Sequence, residues 1–226
     1  MGVLNYSDTF QLFPLGTSGS RSLPPDKRFS WYLPLWHFCE GKPPTLLVDL
    51  DQPWDAEVNH APRLRRIVDL LEPTQRFEDY PLTYLALFGC PSAPWDKQVL
   101  GIQVAQYVGM TGLGVESPEL GSKERGIGIW GYDRQIAVSD IEDGASNTIL
   151  LLETNLEPGP WIAGGRPTLR CLLGSSEIPH LGAVGQFGGI HPGTCLATMA
   201  DASVRRLDDK TDLSVLAAMA TIAGKE

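Results

Sequence analysis

The stretch DGASNTILLLETN constrains the fold most. Ile149 to Leu152 are four consecutive apolar residues bounded by turn formers. A strand with one face in water alternates apolar and polar residues, whereas an unbroken run suits a fully buried strand. Ser146, Asn147 and Thr148 carry short polar side chains that bond nearby backbone in a turn. Upstream, Ser139-Asp140-Ile141-Glu142 has the Ser-x-x-Glu form of a capping box, which predicts a single helical turn from Ser139. Asp143-Gly144 ends that turn, because glycine tolerates the left-handed conformation.

A strand pair is expected further on. Residues 195–200 have strand character, Asp201-Ala202-Ser203 is a turn and 204–207 returns, which together read as a β-hairpin. The closing TDLSVLAAMATIAGKE predicts a helix with Asp212 as N-cap, Gly224 at its end, and Leu213, Leu216, Ala217 and Ala220 toward the core. Earlier, Leu64, Ile67, Val68 and Leu71 give an apolar face to a helix over about 59–72, capped by Asn59 or His60 and stopped by Pro73. A short helix from Ser30 to Glu40 is expected to be kinked or ended by Pro34. Strands and helices do not alternate regularly, so an α+β domain on an antiparallel sheet is expected, not a parallel α/β sheet. The 226 residues suit a single domain. Residues 1–92 form its loop-rich region, and 93–226 hold glycine-rich loops, the sheet and the closing helix.

The formal charge of −9 is spread along the chain. Its densest basic cluster, Arg63, Arg65 and Arg66, lies on a solvated helix face without a stripe of aromatics, which argues against nucleic acid. No run of about 18 apolar residues predicts a membrane span, and no export signal opens the chain as given. Cys39, Cys90, Cys171 and Cys195 are too dispersed for a zinc ribbon. One or two disulfides and free buried thiols both fit their spacing.

The stretch GGIHPGTCLATMADASV poses the question of chemistry. His191 and Cys195 are four apart, but Pro192-Gly193 argues against the helix that would align them, and no third group orients the pair. His191 could join Asp201, Asp143 or Glu153 around a cation, for which turn carboxylates and carbonyls suit calcium better than zinc. The plainer reading has His191 bonding backbone in a glycine-rich turn while Asp143 and Asp201 organise their own turns. Glu153, at the end of the apolar strand, reads as a buried general base or as a structural acceptor. No nucleophile elbow is present, and Gly112-x-Gly114 lacks the third glycine of a dinucleotide loop. No catalytic residue and no required cofactor is therefore expected, with calcium the one candidate ion.

Several blocks then carry a resemblance. They are LNYSDTFQLFP at 4–14, FSWYLPLW at 29–36, DLDQPWDAEVN at 49–59, CPS at 90–92, VSDIEDGASNTILLLE at 138–153 and FGGIHPGTCLATMADASV at 187–204, followed by the LAAMATIAGKE ending. In this order they resemble a bacterial family of prepilin-like proteins, domain of unknown function fifteen fifty-nine. Its signature is a histidine, nine residues, then Asp-Gly, a motif associated with prepilin processing. His191 and Asp201 match, but Ala202 stands where glycine is usual, so either the turn type differs or the hairpin carries strain.

The resemblance implies a pilin-like or pseudopilin-like head: a helical spine, a variable loop region and an antiparallel sheet. The apolar spine helix that precedes the Leu4 block in the family is expected to be absent from this chain. The implied role is a non-enzymatic structural or interaction protein of the cell envelope, with other pilin-like subunits or envelope proteins as partners. Asp143, Gly144, Ser146, Asn147, Glu153, His191 and Asp201 would then organise turns. The alternative is an extracytoplasmic module for a small solute or glycan, using Trp31, Trp36, Trp54, Trp95, Trp130 and Trp161 for stacking.

Overall fold

The computed structural model describes residues 2–40, 48–59, 89–90, 92, 98–99 and 102–224. The helix expected over 59–72 lies outside them except for Asn59. That residue closes a short 3-10 turn, Glu57–Asn59, and is buried. Its side chain reaches backwards, accepting from Asp49 N and donating to the carbonyls of Asp49 and Pro53.

The chain opens with helix α1 (Gly2–Phe10). The short strands β1 (Thr17–Ser18) and β2 (Phe29–Ser30) pair antiparallel and lead into α2 (Tyr32–Glu40). Pro34 does not end α2, because it stands in the first turn, where its missing N–H has no partner to lose. Helices α1 and α2 pack on each other through Tyr6 and Phe10 against Phe38, with ring centroids 5.2 and 5.9 Å apart.

After the small pair β3 (Gln98–Val99) and β4 (Ile102–Gln103) comes the central sheet. Its strands are β5 (Tyr107–Leu113), β6 (Ile149–Glu153), β7 (Leu169–Leu172), β8 (Thr194–Met199) and β9 (Val204–Asp208), in the order β7-β5-β6-β8-β9. The sheet is mixed, not antiparallel throughout: β7 runs parallel to β5, with Gly109 opposite Leu169. The other three pairings are antiparallel.

The apolar run at 149–152 forms the middle strand, and both faces of the sheet are covered. One core holds Val108, Met110, Ile149, Leu152, Cys195, Ala197 and Met199 under Leu216 and Ala220 of the closing helix α3 (Leu213–Ala220). The other gathers Trp31, Tyr32, Trp130, Leu150, Trp161 and Leu169. Trp130 lies over β5 because residue 109 is glycine: a Cβ there would stand 2.7 Å from the indole. The indole nitrogen donates to Leu150 O at 2.9 Å, satisfying the polar end of a fully buried ring.

Asp212 caps α3, accepting from Ser214 N at 2.7 Å. The helix stops at Ala220, short of Gly224, because Ile222 leaves to donate to Ile127 O and to accept from Glu142 N. The turn before β6 begins one residue earlier than its sequence suggested. It is a 3-10 turn, Val138–Asp140, and Asp140, not Glu142, reaches back to the backbone N–H of Ala137 at 2.8 Å. Alanine cannot return the bond, so one half of the box is made.

Candidate functional site

The loop preceding β8 folds back on the end of β6. Gly188 N donates to Glu153 O at 2.8 Å, and Gly188 pairs with Thr154 in a parallel bridge. This places His191 over the Glu153 side chain. Cys90 arrives from another part of the chain, its backbone N–H held by Gln106 Oε1 beside β5. The three side chains converge. Cys90 Sγ lies 3.4 Å from His191 Nε2, and Glu153 Oε1 lies 3.6 Å from the same nitrogen. Cys90, Glu153 and His191 each offer a ligand atom, and those atoms all lie within 4.8 Å of one another.

Burial is uneven across the cluster. The Glu153 side chain is 2% exposed and that of His191 34%, while Cys90 is buried. The carboxylate is clamped: Leu196 N donates to Oε2 at 3.3 Å, and a Cβ on Gly189 would land on the carboxyl itself. Glycine at 189 is therefore what gives Glu153 its room. Tyr107, opposite Glu153 in the β5–β6 ladder, has its phenol pushed up to about 12 by burial and by the neighbouring Glu153, Cys90 and Cys195.

The geometry separates two kinds of chemistry. A thiol–imidazole–carboxylate relay places the nucleophile on one ring nitrogen and the orienting acid on the other. Here both partners approach Nε2, so these three side chains are not arranged as that relay. They are arranged as donors around one point. The donor set is sulfur, nitrogen and one carboxylate, unlike the six to eight oxygens that calcium takes.

The structure sorts the residues singled out in the sequence. It joins His191 to Glu153 but not to Cys195, whose fully buried Sγ turns to the Glu153 carbonyl at 3.7 Å. Burial, together with the Glu153 charge, pushes that thiol up to about 12, which removes it as a nucleophile at neutral pH. Asp143 and Asp201 do not join the cluster. Asp143 accepts from Gly224 N and holds the end of the chain. Asp201 accepts from the backbone and hydroxyl of Ser203, bonds that hold its carboxyl below the ordinary range.

Gly144 has φ +88°, the left-handed turn expected of it, and Asn147 Nδ2 donates to Asp143 O at 3.0 Å. Ser146 is exposed. Ala202 keeps the left-handed conformation at φ +62°. The hairpin thus retains its turn geometry despite lacking glycine, and alanine carries the strain. The cysteine that the site does use, Cys90, is 101 residues from His191, and no spacing rule could pair them. Cys90, Cys171 and Cys195 are free thiols.

A cavity of about 380 Å³ lies between α1 and the sheet, lined by Val3, Leu4, Leu151, Leu196 and Val204 among others. Gly89 and Tyr107 also line it, so it runs beside the cluster. Trp31 also lines it, whereas Trp36, Trp54, Trp130 and Trp161 do not; all five are buried, at 0–9% exposure, and Trp95 lies outside the described residues.

None of the described helices is long and apolar enough to cross a membrane. No curated protein and no solved structure matches the chain. A family model described as a protein of unknown function (DUF1559), SBP_bac_10, matches residues 1–166, a span that includes Cys90 and Glu153 and ends before His191. With most of its length matched, the chain belongs to the DUF1559 family of proteins of unknown function.

Proposed function

We propose that this protein is the head of a pilin-like or pseudopilin-like subunit of the cell envelope, a non-enzymatic protein that acts by presenting rigid surfaces to neighbouring subunits. The observation that supports this best is the seating of α1. The Leu4–Phe10 block is helical, Val3 and Tyr6 pack against the aromatic core on one face of the five-stranded sheet, and Phe10 is 53% exposed at the far end. A spine helix feeding such a block would continue along that face from Gly2. The partners are other copies of the subunit or related envelope proteins, met through exposed apolar residues such as Phe10 and Val204.

The test is the intact mass and N-terminal sequence of the native protein in fractionated source cells. An envelope-bound form that carries a helix before Leu4 and starts at a processed, methylated phenylalanine supports the proposal. A form starting at Met1 or Gly2 and confined to the soluble fraction overturns it.

A further inference from the structure

We propose that Cys90, Glu153 and His191 form a three-ligand site for a divalent cation of the zinc class. The proposal is independent of the pilin-like reading. It rests first on donor geometry. Zinc bonds of about 2.3 Å to sulfur and about 2.0–2.2 Å to nitrogen and oxygen place tetrahedral neighbours roughly 3.3–3.6 Å apart. The Cys90–His191 and Glu153–His191 separations are 3.4 and 3.6 Å. Both converge on Nε2, leaving Sγ, Nε2 and Oε1 around one common point.

It rests second on Glu153. A carboxylate at 2% exposure is costly unless a positive charge or several donors meet it. Among the described residues Oε2 receives one long bond, from Leu196 N at 3.3 Å. Oε1 faces His191 at 3.6 Å, beyond hydrogen-bond range. No Lys or Arg among the described residues forms an ion pair with it. A cation between the three donors supplies the missing partner.

The chemistry of the set selects the ion. Thiolate, imidazole and a single carboxylate suit zinc and cobalt(II), whereas magnesium and calcium want oxygen throughout. The scaffold around the donors is built for them. Gln106 holds the Cys90 backbone, Gly189 leaves space for the carboxyl, and the Gly188–Thr154 bridge fixes the loop that carries His191. Three protein ligands leave a fourth position for water or a ligand group, and the half-exposed imidazole puts that position within reach of solvent.

The test uses the untagged full chain, freed of metal and titrated with cobalt(II). The expected result is one equivalent bound, with the visible bands of tetrahedral cobalt and a thiolate-to-cobalt charge-transfer band. Zinc should displace the cobalt and bleach both. Cys90→Ser should abolish the charge-transfer band, Glu153→Gln and His191→Ala should each weaken binding more than about tenfold, and Cys39→Ser should change nothing. A folded wild-type chain that binds no stoichiometric cobalt overturns the proposal without reference to any variant. So does a charge-transfer band that survives in Cys90→Ser, since another thiol would then be the ligand.

Discussion

Cys90 Sγ meets His191 Nε2 at 3.4 Å although 101 residues separate them. The contact ties the segment preceding β3 to the loop preceding β8, and both to the buried end of β6 through Glu153. The whole arrangement depends on a residue with no side chain. A Cβ at Gly189 would fall on the carboxyl oxygen, carboxyl carbon and Cγ of Glu153. Gly189→Ala should therefore destabilise the fold by about 1–3 kcal/mol, the range for overpacking a filled site. In a Glu153→Ala background the obstructing atoms are gone, so the same change should cost at least about 1 kcal/mol less. Urea unfolding of the four chains in the double-mutant cycle measures this, and an additive cycle would mean that Glu153 is not what Gly189 accommodates.

The β8–β9 turn carries strain that one substitution should release. Met199 N donates to Ser203 O at 2.8 Å around a three-residue loop whose last member, Ala202, has φ +62°. An L residue in that region costs about 1–2 kcal/mol. Glycine avoids the clash but adds about 0.4–1 kcal/mol of unfolded-chain entropy. Ala202→Gly should thus raise stability by about 0.5–1 kcal/mol, a rise in Tm of roughly 2–4 °C per kcal/mol for a chain of this size. Ala202→Val should lower it, because β-branching makes the left-handed region worse. Calorimetry on the two variants reads both signs.

Arg134 ties the glycine-rich segment 114–130 to β5 without any carboxylate. It is 5% exposed, and its Nη1 donates to the carbonyls of Ser117 and Leu120 at 2.6 and 2.8 Å. Its Nη2 serves Thr111, Gly128 and Trp130. Five backbone acceptors thus depend on one guanidinium. Arg134→Met should cost about 3–5 kcal/mol, the range for breaking a buried charged network. Arg134→Lys should recover less than half of that loss, since an ammonium offers three donors from one point and cannot span two groups of carbonyls. Equal stability of the lysine variant and the wild type in denaturant unfolding would show that charge, not fork geometry, is what the site requires.

These sites differ in how far the sequence discloses them. The unbroken run at 149–152 announced a strand buried on both faces. The hairpin and the Asp212 cap were equally readable, because each is written within about ten residues. The parallel pairing of β7 with β5 was not readable, since no local pattern distinguishes a parallel edge strand from an antiparallel one. The turn at 138–140 began early because a 3-10 turn brings Asp140, not Glu142, within reach of the capped N–H. Cys90 was invisible as a partner of His191 for the same reason that the β7–β5 pairing was: both contacts are created by tertiary topology. Pro192-Gly193 already argued against pairing His191 with Cys195, four residues away, and strand alternation sends Cys195 into the core beneath α3.

That inward position gives Cys195 a measurable signature in alkali. Its thiol is pushed from 9.0 up to about 12 by burial first and by the Glu153 charge second. Below about pH 9 the thiol is protonated in both folded and unfolded chains, and the stability this provides is fully present. As pH rises from about 9 to 10, the unfolded chain loses that proton while the folded chain keeps it. The unfolding free energy therefore falls, with a slope approaching about 1.4 kcal/mol per pH unit from this one group. The window lies below the range in which Tyr107, raised from 10.0 to about 12, begins to contribute. Half-buried Cys171 is also raised by burial and adds a shallower slope of the same sign. Cys195→Ala should consequently unfold with a flatter profile between pH 8 and 10. Identical profiles for Cys195→Ala and the wild type would mean that the Cys195 thiol ionises as freely in the folded chain as in the unfolded one.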